Sequence, residues 1–329
     1  MIKFEWKIYF IFIYNIYMLS IKDGRPIARF VKTDKYKGEI LYINNSDDKT
    51  KAINDTLEFN DAEIKESLIN NSNKRNGRER LQEIDLIRKA IKRGVEPIED
   101  KYNEIYQKLK KKIDDNLGKE ISVNTGNLQQ IPRDDTRECL YVSAPSGSGK
   151  STYVSNYASE YLKMFPKNKL IVFSKLDDDD AIDRLNPLRI TIDEELLDNG
   201  IKIEDLSNSL VIFDDTDTIQ DKKLLDYINH LKNDILQTGR HFNIYLCITS
   251  HLINNYKSTR IVMNESSSIT IFPSSGSAYA ISYALKNYVG LSKEDIAKIF
   301  KLPSRWITIF KNYPQCVLYE KGCYLLSKN

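Results

Sequence analysis

The sequence predicts an α/β fold with a mostly parallel central sheet, and three observations support this prediction. First, strands and helices alternate from Arg137 onward, which is typical of a parallel sheet covered by helices. Second, an apolar run at 140–143 leads through a Gly-rich turn into a helical segment. Third, another apolar run at 210–213 ends in Asp214 and Asp215. Buried parallel strands of this kind present carboxylates at one edge of a sheet.

Length and composition agree with a globular protein that has a substantial core. The chain has 329 residues, enough for two domains or for one α/β domain with a large extension. Hydrophobic residues make up 41% and charged residues 29%, as in proteins with a packed core. Since the formal net charge is only +3, any contact with nucleic acid has to come from a local basic patch. The four cysteines form no CxxC pair, which predicts reduced, buried thiols in an intracellular protein.

The Gly-rich turn at 144–151 has the sequence of a P-loop, Ala-Pro-Ser-Gly-Ser-Gly-Lys-Ser. Its glycines allow several backbone N–H groups to point at a polyphosphate, and the following helix N-terminus adds partial positive charge. Lys150 is expected to reach the β- and γ-phosphates, and the Ser151 hydroxyl to hold Mg²⁺. The alternative is a Gly/Ser-rich loop that matches by chance. The residues expected to contact the nucleotide are Ser146, Gly147, Ser148, Gly149, Lys150, Ser151, Thr152 and Ser250.

The strand that ends at Asp214 and Asp215 follows the P-loop at a suitable distance for a Walker B strand. Asp214 is expected to hold Mg²⁺, directly or through water. Asp215 is then placed to polarise the attacking water, although many related enzymes have Glu at this position. Together with the P-loop, the two carboxylates favour hydrolysis of a nucleoside triphosphate over binding alone.

A third group of candidate residues surrounds the turn Gly239-Arg240-His241, which precedes a strand at 243–250. Gly239 is expected at the C′ position of a helix. Arg240 or Arg260 is a candidate arginine finger for a neighbouring subunit, where it would neutralise charge in the transition state. At the tip of the strand, three polar residues are candidates for a sensor of the γ-phosphate, the last of them alternatively a surface histidine: Thr249, Ser250 and His251.

Residues 1–136 are predicted to be a mainly helical N-terminal extension, and residues 137–329 the P-loop domain. The extension begins with a strand hairpin at 27–43 and ends in a linker at 118–132. Between them, helical spacing over 81–113 predicts a helical hairpin with many Lys and Arg residues. One interpretation is that these cations form a surface that binds phosphates or an acidic partner. The alternative is a solvated helix face, because Glu and Asp residues are interleaved with the cations.

The two ends of the chain differ in character. Residues 1–20 are aromatic-rich, but the uncharged run from Ile8 to Ile21 is shorter than the roughly 20 apolar residues of a bilayer span, so no stable membrane span is expected. At the other end, antiparallel strands are predicted at 306–311, 315–320 and 323–326. Aromatic residues of this part and of the strand before it are expected in the core rather than in a stacking platform: Phe272, Trp306, Phe310 and Tyr313.

The chain resembles the viral DNA-packaging ATPases of the poxvirus and giant-virus type, in the FtsK–HerA superfamily. The resemblance rests on 144–151, on Asp214-Asp215, on Gly239-Arg240-His241 and on the strand at 243–250. The superfamily usually has Gln at the tip of that strand, where this chain has Ser250-His251. The resemblance implies a RecA-like core, in which another strand lies between the P-loop strand and the Walker B strand. It also implies ATP and Mg²⁺ as ligands, and a homo-oligomeric ring with ATP bound between subunits.

The expected function is therefore an ATP-driven translocase that packages double-stranded viral DNA into capsids. In this interpretation Lys150, Asp215 and Arg240 carry catalysis, and the N-terminal extension is an adaptor to capsid, membrane or DNA. The expected location is the host cytoplasm, at viral assembly sites, and the virion. The alternative is a nucleotide-dependent switch or scaffold ATPase whose helical N-terminal region recruits a protein partner. A kinase would share the P-loop, but no Arg-rich lid follows the Walker B strand.

Overall fold

Fourteen strands form two sheets in the part of the chain that the computed structural model describes: residues 17–32, 36–45, 86, 107, 118–123, 127–254 and 259–326. In chain order the strands are β1 (Tyr17–Ser20), β2 (Arg25–Phe30), β3 (Ile40–Asn45), β4 (Glu120–Ser122), β5 (Leu128–Gln130), β6 (Cys139–Ser143), β7 (Lys169–Ser174), β8 (Leu188–Thr191), β9 (Ser209–Phe213), β10 (Ile244–Ser250), β11 (Ser268–Ile271), β12 (Ile307–Phe310), β13 (Cys316–Tyr319) and β14 (Gly322–Leu325). The α-helices are α1 (Lys150–Met164), α2 (Asp180–Asp183), α3 (Glu194–Asn199), α4 (Lys222–Thr238), α5 (Arg260–Glu265), α6 (Ala278–Ala284, continued by a π-helical turn at Leu285–Val289) and α7 (Lys293–Phe300).

The larger sheet has ten strands in the order β4-β14-β13-β12-β11-β6-β10-β9-β7-β8. The strands from β11 to β8 are parallel to one another, and those from β12 to β4 are antiparallel to their neighbours. Strand β10 lies between β6, which precedes the P-loop, and β9, which precedes the two aspartates. This arrangement confirms the α/β fold, its C-terminal antiparallel strands and the intervening strand that the resemblance implies.

Both faces of the central part of the parallel sheet are covered, which explains why β6, β9 and β10 are buried along their whole length. In β6, Cys139 and Tyr141 pack on the face with α4, whose Ile228 and Ile235 are fully buried. The alternate residue Val142 packs on the other face, with α1 and the smaller sheet. Since side chains in a strand point alternately to the two faces, an uninterrupted apolar strand requires cover on both sides.

The smaller sheet is antiparallel, with strand order β1-β3-β2-β5. Strands β2 and β3 form the hairpin predicted at 27–43. The prediction of a linker at 118–132 is wrong, because this stretch contains two strands. Strand β4 extends the edge of the larger sheet beside β14, and β5 pairs with β2. Each has only three residues and depends on a partner strand that is distant in sequence, so local pattern gives little sign of either.

The role of Gly239 also differs from the prediction. Its φ is −55°, so it does not end α4 in the left-handed conformation; Asn243, at φ 53°, takes that conformation a few residues later. A Cβ on Gly239 would lie 2.8 Å from Nη1 of Arg137 and 3.2 Å from Cγ2 of Ile235. The Arg137 guanidinium donates to the Ile235 carbonyl oxygen at 2.7 Å and so caps the end of α4. A side chain at position 239 would therefore displace the Arg137 guanidinium from the end of α4.

Of the aromatic residues predicted in the core, one lies elsewhere. Phe272, Trp306 and Phe310 are buried, whereas 58% of Tyr313 is exposed. Tyr313 precedes Pro314 in the β12–β13 turn and stacks edge-on against Tyr17 at 5.1 Å between ring centroids. All four cysteines are buried and free, as predicted.

The charged helical hairpin predicted over 81–113 lies outside the described residues, apart from Leu86 and Gln107, which are both helical. Most of the aromatic-rich segment before Ile21 also lies outside them. Within the ranges that the structure describes, no helix is both long enough and apolar enough to cross a bilayer.

Candidate active site

Three neighbouring parallel strands end at one edge of the larger sheet and bring the predicted site residues together. Ser143 at the end of β6 pairs with Ser250 at the end of β10, and Ile248 of β10 pairs with Phe213 at the end of β9. The backbone N–H of Ala144 donates to the Ser250 carbonyl oxygen at 3.1 Å, which fixes the start of the P-loop. This carboxyl edge is where open α/β sheets bind their ligands.

The P-loop has the backbone that its glycines predict. Gly147 and Gly149 have φ values of 76° and 96°, in the left-handed region that side chains disfavour. A Cβ on either would meet no described atom within 4 Å, so glycine is required there by conformation and not by space. The Ser148 hydroxyl donates to the Pro145 carbonyl oxygen at 2.7 Å and closes the turn. Helix α1 begins directly afterwards, at Lys150, with its positive end toward the loop.

Lys150 joins the Gly-rich turn to the carboxylates that follow β9. Its side chain is only 6% exposed, and its ammonium group forms an ion pair with Oδ1 of Asp215. Asp215 itself has a left-handed backbone, with φ 44° and ψ 40°, a conformation that Asp and Asn adopt more readily than other side chains. Nε2 of His251 lies 3.2 Å from Oδ2 of Asp215. The carboxylate of Asp215 is therefore held between the Lys150 ammonium group and the His251 imidazole ring.

Asp214 is more deeply placed than Asp215, with an exposed fraction of 5%. The Thr249 hydroxyl lies 2.9 Å from Oδ1 of Asp214 and 2.9 Å from Oδ1 of Asp215. Burial raises the pKa of Asp214, and the neighbouring Asp215 charge raises it further, against the hydrogen bond from Thr249 and the charge of Lys150. Lys150 thus forms an ion pair with Asp215, and its charge also acts on the neighbouring Asp214.

The oxygen atoms around this pair fit Mg²⁺, which prefers carboxylate and hydroxyl ligands. A cation at Asp214 would offset the repulsion that raises its pKa, and Ser151, in the first turn of α1, is the half-buried hydroxyl predicted to share it. Asp217, which sequence reasoning did not single out, forms a second group with Asp215 and His251, whose possible ligand atoms lie within 4.8 Å of one another.

Thr249, rather than Ser250, is the hydroxyl in contact with the two carboxylates. The Ser250 hydroxyl lies 2.9 Å from Oδ2 of Asp217 and 2.9 Å from the Leu252 carbonyl oxygen. The backbone N–H of His251 also donates to Oδ2 of Asp217. Direct contact of Ser250 with a nucleotide remains a prediction.

The two candidate arginine fingers lie at opposite edges of the sheet. Arg240 is exposed in the turn before β10, at the amino edge, where it lines a cavity together with Arg137 and Lys311. Arg260 is exposed at the start of α5, directly after Thr259, which lines a cavity with Thr249 at the carboxyl edge. Arg240 therefore lies at the opposite edge of the sheet from the P-loop of its own chain, and its role as a finger stays a prediction.

Lys232 is a candidate site residue that sequence reasoning missed. It lies on α4 with 7% exposure, and its Nζ donates to the Thr216 hydroxyl at 3.1 Å, one residue after Asp215. Burial lowers its pKa to about 8, against the favourable charge of Asp217. The available signal was its position one turn after Ile228, on the apolar face of an amphipathic helix.

Replacing Lys232 by methionine is expected to raise the free energy of unfolding at pH 7 by about 1–3 kcal/mol, because burying the ammonium costs about 1.4 kcal/mol per pKa unit. Unfolded lysine keeps its proton to about pH 10.4, whereas folded Lys232 loses it near pH 8. The gain should therefore be constant below pH 8 and disappear as the pH rises toward 10.5. Urea denaturation at pH 7 and pH 10 measures it.

The matched control is Lys223→Met, an exposed position on the same helix, which should change stability little at either pH. A Lys232→Met protein less stable than the wild type at pH 7 would show that the buried amine stabilises the fold.

Solved structures similar to this chain include viral packaging ATPases. The DNA-packaging ATPase B204 from Sulfolobus turreted icosahedral virus has 18% sequence identity and a TM-score of 0.39, over 58% of this chain and 98% of that chain. The genome packaging NTPase B204 from Sulfolobus turreted icosahedral virus 2, in complex with ATP-gammaS, has 15% identity and a TM-score of 0.40, over 56% and 97%. The cytoplasmic domain of the Thermomonospora curvata type VII secretion ATPase EccC has 13% identity and a TM-score of 0.41, over 64% and 29%.

Because these TM-scores are too low to establish a common fold, the fold assignment rests on the strand order described above.

Comparison with models of protein families gives no match. Among known proteins, the uncharacterized protein V3 of Sputnik virophage is 46% identical to this chain over 209 residues, which is 63% of this chain and 84% of the relative. The chain belongs to the same family as this virophage protein.

Proposed function

We propose that this member of the virophage V3 family is an ATPase of the packaging or translocase class, which moves double-stranded DNA into a capsid. The observation that carries the ATPase part is the meeting of the P-loop, Asp214, Asp215 and Thr249 at one sheet edge, with β10 inserted between β6 and β9. The resemblance of the sequence motifs to viral packaging ATPases supports DNA as the substrate that is moved, and the virophage relative supports a viral setting.

The residues of the site divide the work of hydrolysis. The P-loop N–H groups and Lys150 bind the β- and γ-phosphates of ATP. Ser151 and Asp214 would hold Mg²⁺, which when bound neutralises charge on the phosphate oxygens. As Lys150 turns to the phosphates, it leaves Asp215, whose carboxylate then orients the attacking water and accepts its proton. Thr249 keeps the two carboxylates in place.

A ring with ATP between subunits is supported by the surface beside the site. Leu252 is 59% exposed and Ile261 is 39% exposed, and both lie close in sequence to residues of the carboxyl edge. A neighbouring subunit in the ring would cover both side chains. Arg260, between them in sequence, would be the finger that reaches the nucleotide of a neighbour, and Arg240 the alternative from the opposite edge.

The test is the ATPase rate of the purified full chain with and without duplex DNA, with mass in solution recorded with and without ATP. DNA is expected to raise the rate at least severalfold, and nucleotide to promote assembly. A rate that duplex DNA leaves unchanged, in a protein that stays monomeric, would contradict the packaging function. Slow hydrolysis with a protein partner that prefers one nucleotide state would instead favour a switch or scaffold.

A further inference from the structure

A cavity of about 420 Å³ opens beside the P-loop. Ser148, Gly149 and Thr152 form one side of it, so it is continuous with the turn that would hold the phosphates. Its volume lies in the range of about 300–1,000 Å³ found for small-molecule sites. Phosphates bound at the start of α1 would have the rest of their molecule beside or within this space.

The base of the cavity is aromatic and rigid. It is formed by Tyr153, Phe272 and Trp306, with 4.9 Å between the ring centroids of Tyr153 and Trp306. The Tyr153 hydroxyl lies 2.7 Å from the Thr308 hydroxyl and also bonds to Gln130 of β5. The hydroxyl of Tyr153 is hydrogen-bonded and its ring packs against Trp306, so the aromatic surface is already in place before a ligand binds.

At the mouth of the cavity, Glu320 holds the guanidinium group of Arg305. Nε and Nη2 of Arg305 each lie 3.2 Å from Oε1 of Glu320, and the backbone N–H of Arg305 donates to Oε2 at 2.9 Å. Nevertheless the Arg305 side chain is 80% exposed. A guanidinium plane that is held along one edge and open on its face is suited to stacking on a flat heteroaromatic ring.

The remaining wall comes from the N-terminal extension, through Val31, Lys32 and residues 127–129. Hydrogen bonds connect this wall to Glu320 at the mouth of the cavity and to helix α1. The backbone N–H of Leu128 donates to the Glu320 carbonyl oxygen at 2.8 Å, and Nε2 of Gln129 donates to the Asn156 carbonyl oxygen of α1 at 2.8 Å.

We propose that this cavity holds the base and ribose of the nucleoside triphosphate whose phosphates bind the P-loop. The inference rests on the proposed ATPase function and deepens it, because it makes the strands before residue 137 part of the nucleotide site. Continuity with Gly149 and Thr152 selects this occupant, and the aromatic surface with the exposed Arg305 face matches the flat base. The N-terminal strands are then coupled to nucleotide binding as well as to any partner.

The experiment compares the affinities of ATP and inorganic triphosphate, each with Mg²⁺, by titration calorimetry of the full chain. The wild type is expected to bind ATP about tenfold more tightly than triphosphate, as stacking of roughly 1–2 kcal/mol provides. Arg305→Ala should weaken the binding of ATP about fivefold to tenfold and change the affinity for triphosphate by no more than about twofold. Lys301→Ala, an exposed cation nearby that does not line the cavity, should change neither.

A second variant tests the N-terminal wall. Asn127→Trp places a large side chain in the cavity from that side, and should weaken ATP binding but not triphosphate binding. Equal affinity of the wild type for ATP and triphosphate, or variants that weaken both ligands alike, would overturn the inference while leaving the P-loop assignment intact. Failure of the wild type to bind either ATP or triphosphate would remove the proposed ATPase function and the inference with it.

Discussion

Asp215→Asn is expected to lower the rate of ATP hydrolysis at least about 100-fold while leaving ATP affinity nearly unchanged. General base catalysis contributes about 10²–10⁴-fold, and an amide cannot accept the proton of the attacking water. The fold should survive, since Asn tolerates the left-handed backbone that Asp215 adopts at φ 44°. Single-turnover hydrolysis and equilibrium binding of ATP, measured on the same preparation, separate the two effects.

Two further variants decide whether the loss belongs to this carboxylate. Asp234→Asn replaces an exposed aspartate on α4 that lies away from the carboxyl-edge cavity and should hydrolyse ATP at the wild-type rate. Asp214→Asn should instead weaken Mg²⁺-dependent ATP binding, because Asp214 is the more buried carboxylate and the proposed metal ligand. An Asp215→Asn protein that turns over normally would show that another group, such as Asp217, orients the water.

The parallel part of the fold could be predicted from sequence because its signals are local. A buried parallel strand is apolar along its whole length, and the glycines at 147 and 149 have to adopt left-handed conformations whatever surrounds them. The three-residue strands β4 and β5 carry no such signal. They form only because they pair with β14 and β2, respectively, and both partner strands are distant in sequence.

In the candidate site, too, some features have a local sequence signal and others depend on contacts between distant segments. Motif spacing predicted Lys150, Asp214 and Asp215, and the structure brings them to one edge of the sheet. Motif spacing could not decide between adjacent hydroxyls, because only the direction in which Thr249 and Ser250 leave β10 determines which one meets the carboxylates. The burial of Lys232 and the cavity walled by the N-terminal strands also depend on contacts between distant segments.

Lys150→Met is expected to abolish ATP hydrolysis and to weaken triphosphate binding about 10- to 100-fold, since a hydrogen bond to a charged group contributes about 1.5–3 kcal/mol. Methionine keeps the length and apolar stem of a side chain that is only 6% exposed. The loss should therefore be one of charge and not of packing. Calorimetry with inorganic triphosphate measures it, and Lys167→Met, an exposed position just after α1, should bind like the wild type.

The same variant has a consequence for stability that depends on pH. Without Lys150, the adjacent carboxylates of Asp214 and Asp215 lose a cation, and the pKa of Asp214, already raised by burial and by the Asp215 charge, should rise further. A group whose folded pKa is raised loses stability as the pH rises through that pKa. The free energy of unfolding that Lys150→Met loses relative to the wild type should thus be larger at pH 7 than at pH 5. A deficit that is equal at both pH values would mean that Lys150 acts on the phosphates alone and does not balance the carboxylate pair.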